Sequence, residues 1–119
     1  MRVYRVLAGA QPSTADFLSY AEAGKPLPPR SSDALRRRWR AVSAFTTLGL
    51  AADRAAKYGL GEWYAALELP DEVELEVGRE QAAGGAHVSI HGQTAASLLG
   101  HVVEVGRLQL PDQGLELGR

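Results

Sequence analysis

Residues 41 to 70 constrain the fold of this chain more than any other stretch, because they read as strand, helix and strand with almost no connecting loop. Val42 to Thr46 is a short apolar run mixed with hydroxyls, as a half-buried strand requires. Thr47 stands where an N-cap hydroxyl would accept a bond from an orphan amide of the next turn. Leu48, Ala51, Ala52, Ala55 and Tyr58 then recur at helical spacing and are expected to face inward, with Asp53, Arg54 and Lys57 in solvent. Gly59 and Gly61 end that helix, Trp63 to Leu69 resumes strand character, and Pro70 stops it. A core strand is therefore expected over Trp63 to Leu69, with Leu67 buried.

The flanking segments add strands more than helices. Arg2 to Leu7 is a first strand, and alternation puts Arg5 on the same side as Val3. A guanidinium is expensive there unless it lines a cleft or finds a partner. Ser13 and Asp16 resemble a capping box for a short helix through Tyr20, with Phe17 and Leu18 inward. Asp71 to Val77 alternates Val73, Leu75 and Val77 against Glu72, Glu74 and Glu76, so a strand with one wet acidic face is expected. Residues 78 to 85, with glycines at 78, 84 and 85, read as a flexible connection. His87 to His91 is a strand carrying Val88 and Ile90 on one side and His87, Ser89 and His91 on an exposed polar side. A short helix from Gln93 and a last strand from Val102 to Leu110 complete the chain, and residues 111 to 119 read as a frayed tail. The total is a single α+β domain over residues 1–110, with a mixed, mostly antiparallel sheet of about six short strands and three short helices.

Composition closes off several functions. A length of 119 residues suits one core and not two. The formal net charge of −1 gives no overall nucleic-acid footprint, and the absence of cysteine excludes disulfides, thiolate metal sites and a cysteine nucleophile. With a strand starting at residue 2 or 3 and no 18-residue apolar run, neither a signal peptide nor a membrane span is expected, and a cytoplasmic location is the default. His87 and His91 lie about 13 Å apart along one strand face, too far to share a metal ion through that strand. No Walker loop, dinucleotide-binding fingerprint, nucleophile elbow or zincin motif occurs.

Charge is nevertheless local. Arg30, Arg36, Arg37, Arg38 and Arg40 cluster around Trp39, after a Lys25-Pro-Leu-Pro-Pro-Arg30 strip that cannot be helical. Ser31-Ser32-Asp33 can cap a turn of helix carrying those arginines. Two readings stay open: a solvated basic face, or an anion-recognition loop in which planar guanidiniums sit beside a stacking aromatic. In either case the segment, lying between the first strand and the Ser43 strand, is expected to border the main cleft.

Val3-Tyr4-Arg5 on the first strand, then Val42-Ser43-Ala44-Phe45-Thr46 feeding an alanine-rich helix and the strand Trp63 to Leu69, resembles the Arg–Ser–Glu class of the ADP-ribosyltransferase-like fold. The similarity spans residues 2 to 70. It implies an NAD site in which Arg5 holds the phosphates and Ser43 orders the pocket, with the nearby hydroxyls of Thr46 and Thr47. Ala44 and Phe45 depart from the hydroxyl residues that follow the serine in that class. The catalytic glutamate of the class falls on Glu80, beside Gln81. The chain is also similar to small bacterial proteins with a His-x-x-x-x-Gly strand and a following helix, here His87 to Leu99. The alternative reading is a non-enzymatic interaction module, of antitoxin, immunity or adaptor type, that meets a protein partner through the Arg30 to Arg40 loop.

Overall fold

A computed structural model describes residues 1–82 and 84–110, with the side chain of Glu80 outside the described set. The 111–119 tail lies outside it too. Six strands form one antiparallel sheet: β1 (Arg2–Leu7), β2 (Val42–Phe45), β3 (Trp63–Glu68), β4 (Glu74–Ala82), β5 (Gly85–His91) and β6 (Val102–Arg107), in the order β4-β5-β2-β1-β3-β6. Three α-helices accompany it: α1 (Asp33–Trp39), α2 (Leu48–Tyr58) and α3 (Ala95–Gly100), with a 3-10 turn at Thr14–Phe17. The fold class is α+β, a small single domain built mostly of sheet. Among the described residues no helix is long and apolar enough to cross a membrane.

The sheet buries both faces, each against different helices. On the first face Val3, Leu7, Val42, Ala44, Ala65, Leu67, Val88 and Ile90 form one cluster with Phe17 of the 3-10 turn and Leu98 of α3. On the second, Tyr4, Val6, Phe45 and Tyr64 meet Leu50, Ala51, Ala52 and Ala55 of α2. Leu67 is fully buried as expected, although β1 and β2, not β3, form the middle of the sheet.

The central strand–helix–strand unit forms as read. Thr47 Oγ1 accepts from the Leu50 amide at 3.2 Å, and Gly59 closes α2 with φ 63°. The buried stripe of α2 is shifted from the expected one. Leu50 replaces Leu48 and Tyr58, which occupy the first and last positions of the helix and are exposed. Arg54 is not left to solvent either, its side chain retaining 14% of its exposure.

Two further corrections concern the loops. The glycine-rich stretch after Val77 is not a connection. β4 runs on to Ala82, with a register shift between Val77 and Gln81, and pairs with β5 through Gln81 and Ala82. Glycine serves close approach there: a Cβ on Gly78 would lie 3.2 Å from the His87 carbonyl oxygen. The Ser13 segment makes only a 3-10 turn, with the Ser13 amide donating to Asp16 Oδ2 at 2.8 Å, whereas the basic segment does form a helix, capped by Ser32 Oγ on the Leu35 amide at 3.1 Å.

Gly106 carries a testable packing consequence. A Cβ there would sit 2.7 Å from the Tyr64 ring, which lies across β6 and donates its hydroxyl to Glu104 at 2.7 Å. Gly106→Ala should therefore displace Tyr64 and lower stability by about 1–3 kcal/mol, the usual range for overpacking. Urea unfolding checks this, and an unchanged midpoint would contradict it.

Candidate functional site

The strands at the middle of the sheet part company. β1 and β2 share a single registered pair, Tyr4 with Phe45, and Arg5 enters where they separate. Its Nη1 donates to the Ser43 carbonyl at 2.7 Å and its Nε to the Asp16 carbonyl at 2.9 Å. The inward guanidinium thus has partners and lines a cleft as well. Burial lowers its pKa, with Tyr20 and Asp16 opposing the shift, but an arginine stays charged under these conditions.

Ser43 faces the other way from Val42 and Ala44, on the second face of the sheet. Its register neighbour on β5 is Ser89, and Phe45 faces His87. Residues opposed in an antiparallel pair share a face, so Ser43, Phe45, His87 and Ser89 lie together. Helix α2 covers Phe45 and borders this patch through Arg54 and Tyr58, and the other side is roofed by α1 and by the segment before it. That segment is fastened at several points. The Tyr20 ring packs tilted at 54° against Trp39 with centroids 4.8 Å apart, and Lys25 Nζ lies 4.7 Å from the Tyr20 centroid. Trp39 Nε1 donates to the Lys25 carbonyl at 3.0 Å, and the Ala21 amide donates to the Trp39 carbonyl at 3.0 Å.

Beneath this roof lies a cavity of about 420 Å³, within the size range of small-molecule sites. Arg5, Lys25 and Arg38 line it, with Tyr20, Trp39 and Phe45 as aromatic walls and Ser43, His87 and Ser89 on its floor. A second cavity of about 580 Å³ shares Tyr20, Arg38, Ser43, Phe45 and His87 and adds Arg54, Arg79 and Tyr58. Among the described residues lining these two cavities there is no carboxylate. The acidic side chains nearby are already engaged: Glu74 and Glu76 of β4 hold Arg37 of α1, and Glu76 Oε1 lies 3.0 Å from His91 Nε2. The acidic face is wet as expected, with Glu72 and Glu74 exposed, and through Glu74 and Glu76 it also anchors α1. The polar side of β5 is correspondingly covered, with Ser89 and His91 buried and not exposed as expected.

One contact was invisible in the sequence. Ser43 Oγ and His87 Nε2 are 2.5 Å apart, diagonally across β2 and β5. Desolvation is the main cause lowering the His87 pKa, reinforced by the charges of Arg54, Arg38 and Arg5 and opposed by Glu76. The imidazole is therefore neutral near pH 7, and its Nε2 can accept from the serine hydroxyl. A depressed histidine stabilises the fold fully above its unfolded pKa, near 6.5, and that contribution is lost as pH falls toward and through the folded value. Wild-type stability should accordingly rise with pH in a window that ends near 6.5, and His87→Gln should flatten that rise. Urea midpoints measured from acid to neutral pH provide the check; parallel profiles for the two proteins would count against it.

The remaining residues singled out in the sequence lie elsewhere. Thr46 Oγ1 accepts from the Ala86 amide at 2.8 Å and Thr47 caps α2, so both hydroxyls serve the backbone and neither lines the two cavities. Glu80 lies on β4, with its side chain outside the described residues. Among the described residues no three His, Asp or Glu side chains gather as metal ligands. Comparison with family models, curated proteins and solved structures finds no match, so the ADP-ribosyltransferase resemblance rests on the quoted residues of 2 to 70.

Proposed function

We propose that the cleft between α1, the segment before it and the open patch of β2 and β5 binds an anionic, nucleotide-like ligand, with NAD and its ADP-ribose portion as the leading candidates. One observation carries this reading. A chain with a net charge of −1 lines two confluent cavities with Arg5, Lys25, Arg38 and Arg79, joined by Arg54, which Asp53 holds at 2.7 Å, and, among the described residues, with no acid in the lining. Such local concentration of one sign in a low-dielectric cleft draws anions strongly. The aromatic walls Tyr20, Trp39 and Phe45 suit a planar base, and guanidiniums suit a diphosphate.

These residues fit the binding half of an ADP-ribosyltransferase-like site. The glycosidic bond cleavage of that class needs a carboxylate, and no such step is assigned here. The interaction-module reading has less support, since Arg38 and Trp39 turn into the cleft and Arg37 is held by Glu74 and Glu76. Only Arg30, Arg36 and Arg40 of the basic segment remain as exposed contact candidates outside these arrangements.

Calorimetric titration with NAD, ADP-ribose and ADP tests the reading directly. Arg38→Ala should weaken binding about tenfold or more, equivalent to about 1.4 kcal/mol. Arg36→Ala, on the same helix but outside the cavities, should leave it unchanged. Absence of binding to wild type, or equal losses in both variants, would reject the nucleotide cleft.

A further inference from the structure

The geometry points to Ser43 as a nucleophile activated by His87, acting on the phosphoryl group of a phosphodiester held in the same cleft. The inference rests on the anion-binding reading for its substrate class only. The serine and histidine contact stands on its own geometry: Oγ and Nε2 at 2.5 Å, both residues lining both cavities. A nucleophile and a base within hydrogen-bond reach, open to a cavity, form the core of covalent hydrolytic catalysis.

Several features favour chemistry over a purely structural contact. The backbone around Ser43 is already satisfied by sheet pairing and by Arg5, so the hydroxyl is not needed to hold β2 in place. The other side of the imidazole packs closely on Gly78, where an added Cβ would lie 3.4 Å from Nδ1, so the glycine lets the ring lie flat against β4. Desolvation first, and then the charges of Arg54, Arg38 and Arg5, lower the His87 pKa, as suits a base that is neutral at pH 7. Arg38, which lines both cavities beside the pair, supplies positive charge of the kind a phosphoryl transition state requires, while Arg54 is held by Asp53 at 2.7 Å.

The step balances without any further reagent than water. Ser43 Oγ attacks phosphorus as the bond from phosphorus to the leaving alkoxide breaks. The Oγ proton passes to His87 Nε2 and then to the leaving oxygen, giving a phosphoserine diester and an alcohol. Water, deprotonated by the same Nε2, then attacks phosphorus and displaces Ser43 Oγ, which takes the proton back. The net reaction converts a phosphodiester and water into a phosphomonoester and an alcohol.

Three measurements on the full chain test this. A fluorophosphonate probe, which phosphonylates activated serines, should form one adduct that peptide mapping places on Ser43. Bis(4-nitrophenyl) phosphate should be hydrolysed, and His87→Gln should slow both reactions by about 10²–10⁴-fold. The wild-type labelling rate should rise with pH through a midpoint below 6.5, a readout that needs no variant to fold. No adduct, an adduct on Ser89 or elsewhere, or wild-type labelling rates in His87→Gln would overturn the assignment. Titration of the same preparation with ADP separates the two proposals. Binding without labelling leaves the cleft and removes the nucleophile; labelling of Ser43 without ADP binding leaves the nucleophile and removes the nucleotide.

Discussion

Phe17→Ala is expected to lower stability by about 3–5 kcal/mol, the range for deleting a fully buried aromatic. Phe17 is the bulkiest of the fully buried side chains and sits in the core of the first sheet face. It is also the last residue of a four-residue 3-10 turn, which makes few internal bonds and depends on tertiary packing against α3. Removing the ring leaves a void beside Val3, Leu7 and Leu98, and neighbours on strands cannot move to fill it. The effect should extend to the cleft, because the turn presents the Asp16 carbonyl that accepts from Arg5. Urea unfolding and nucleotide titration of one sample would register both. A loss below about 1 kcal/mol would show that the turn lies outside the cooperative core.

Arg5→Lys should cost about 2–3 kcal/mol although charge is retained. The guanidinium spans two carbonyls on different segments, Ser43 at 2.7 Å and Asp16 at 2.9 Å, and a single ammonium on a flexible stem cannot reproduce that fork. A hydrogen bond from a charged donor contributes about 1.5–3 kcal/mol, and the carbonyl left behind is poorly hydrated at this depth. Lysine must also carry its charge into the same desolvated position that lowers the arginine pKa, and an ammonium gives up its proton there more readily. The variant therefore probes the seam between β1 and β2 first and the ligand second. Should Arg5→Lys match wild type in stability yet lose nucleotide binding, Arg5 would be a ligand residue and not a seam residue.

Much of this architecture is legible along the chain because it is local. Thr47, the alanine stripe and Gly59 declare α2, and alternation declares β1, β3 and the first half of β4. The oddity of Arg5 is legible as well: period-two geometry puts a charge on the Val3 face, and a cleft or a partner must follow. Where reading failed, the missing term was a neighbour far away in sequence. Glycine at 78 looks like a loop until His87 is known to lie against it. The side of β5 carrying His87, Ser89 and His91 looks wet until α1 is placed over it, anchored by Arg37 on Glu74 and Glu76.

The candidate site divides along the same line. By itself the sequence determined the strand and helix faces, the α+β class, the caps of α2 and the presence of a basic, aromatic segment before β2. Those features depend on residues within a turn or two of each other, where 3.6 and two-residue periodicities operate. Only the tertiary structure decided which faces meet. Ser43 and His87 are separated by 44 residues, and Arg5 and Ser43 by 38. Their meeting depends on the strand order β4-β5-β2-β1-β3-β6 and on the parting of β1 from β2 after a single pair. Strand order minimises the free energy of the whole sheet, through burial of both faces at once, and no local pattern of residues encodes that sum.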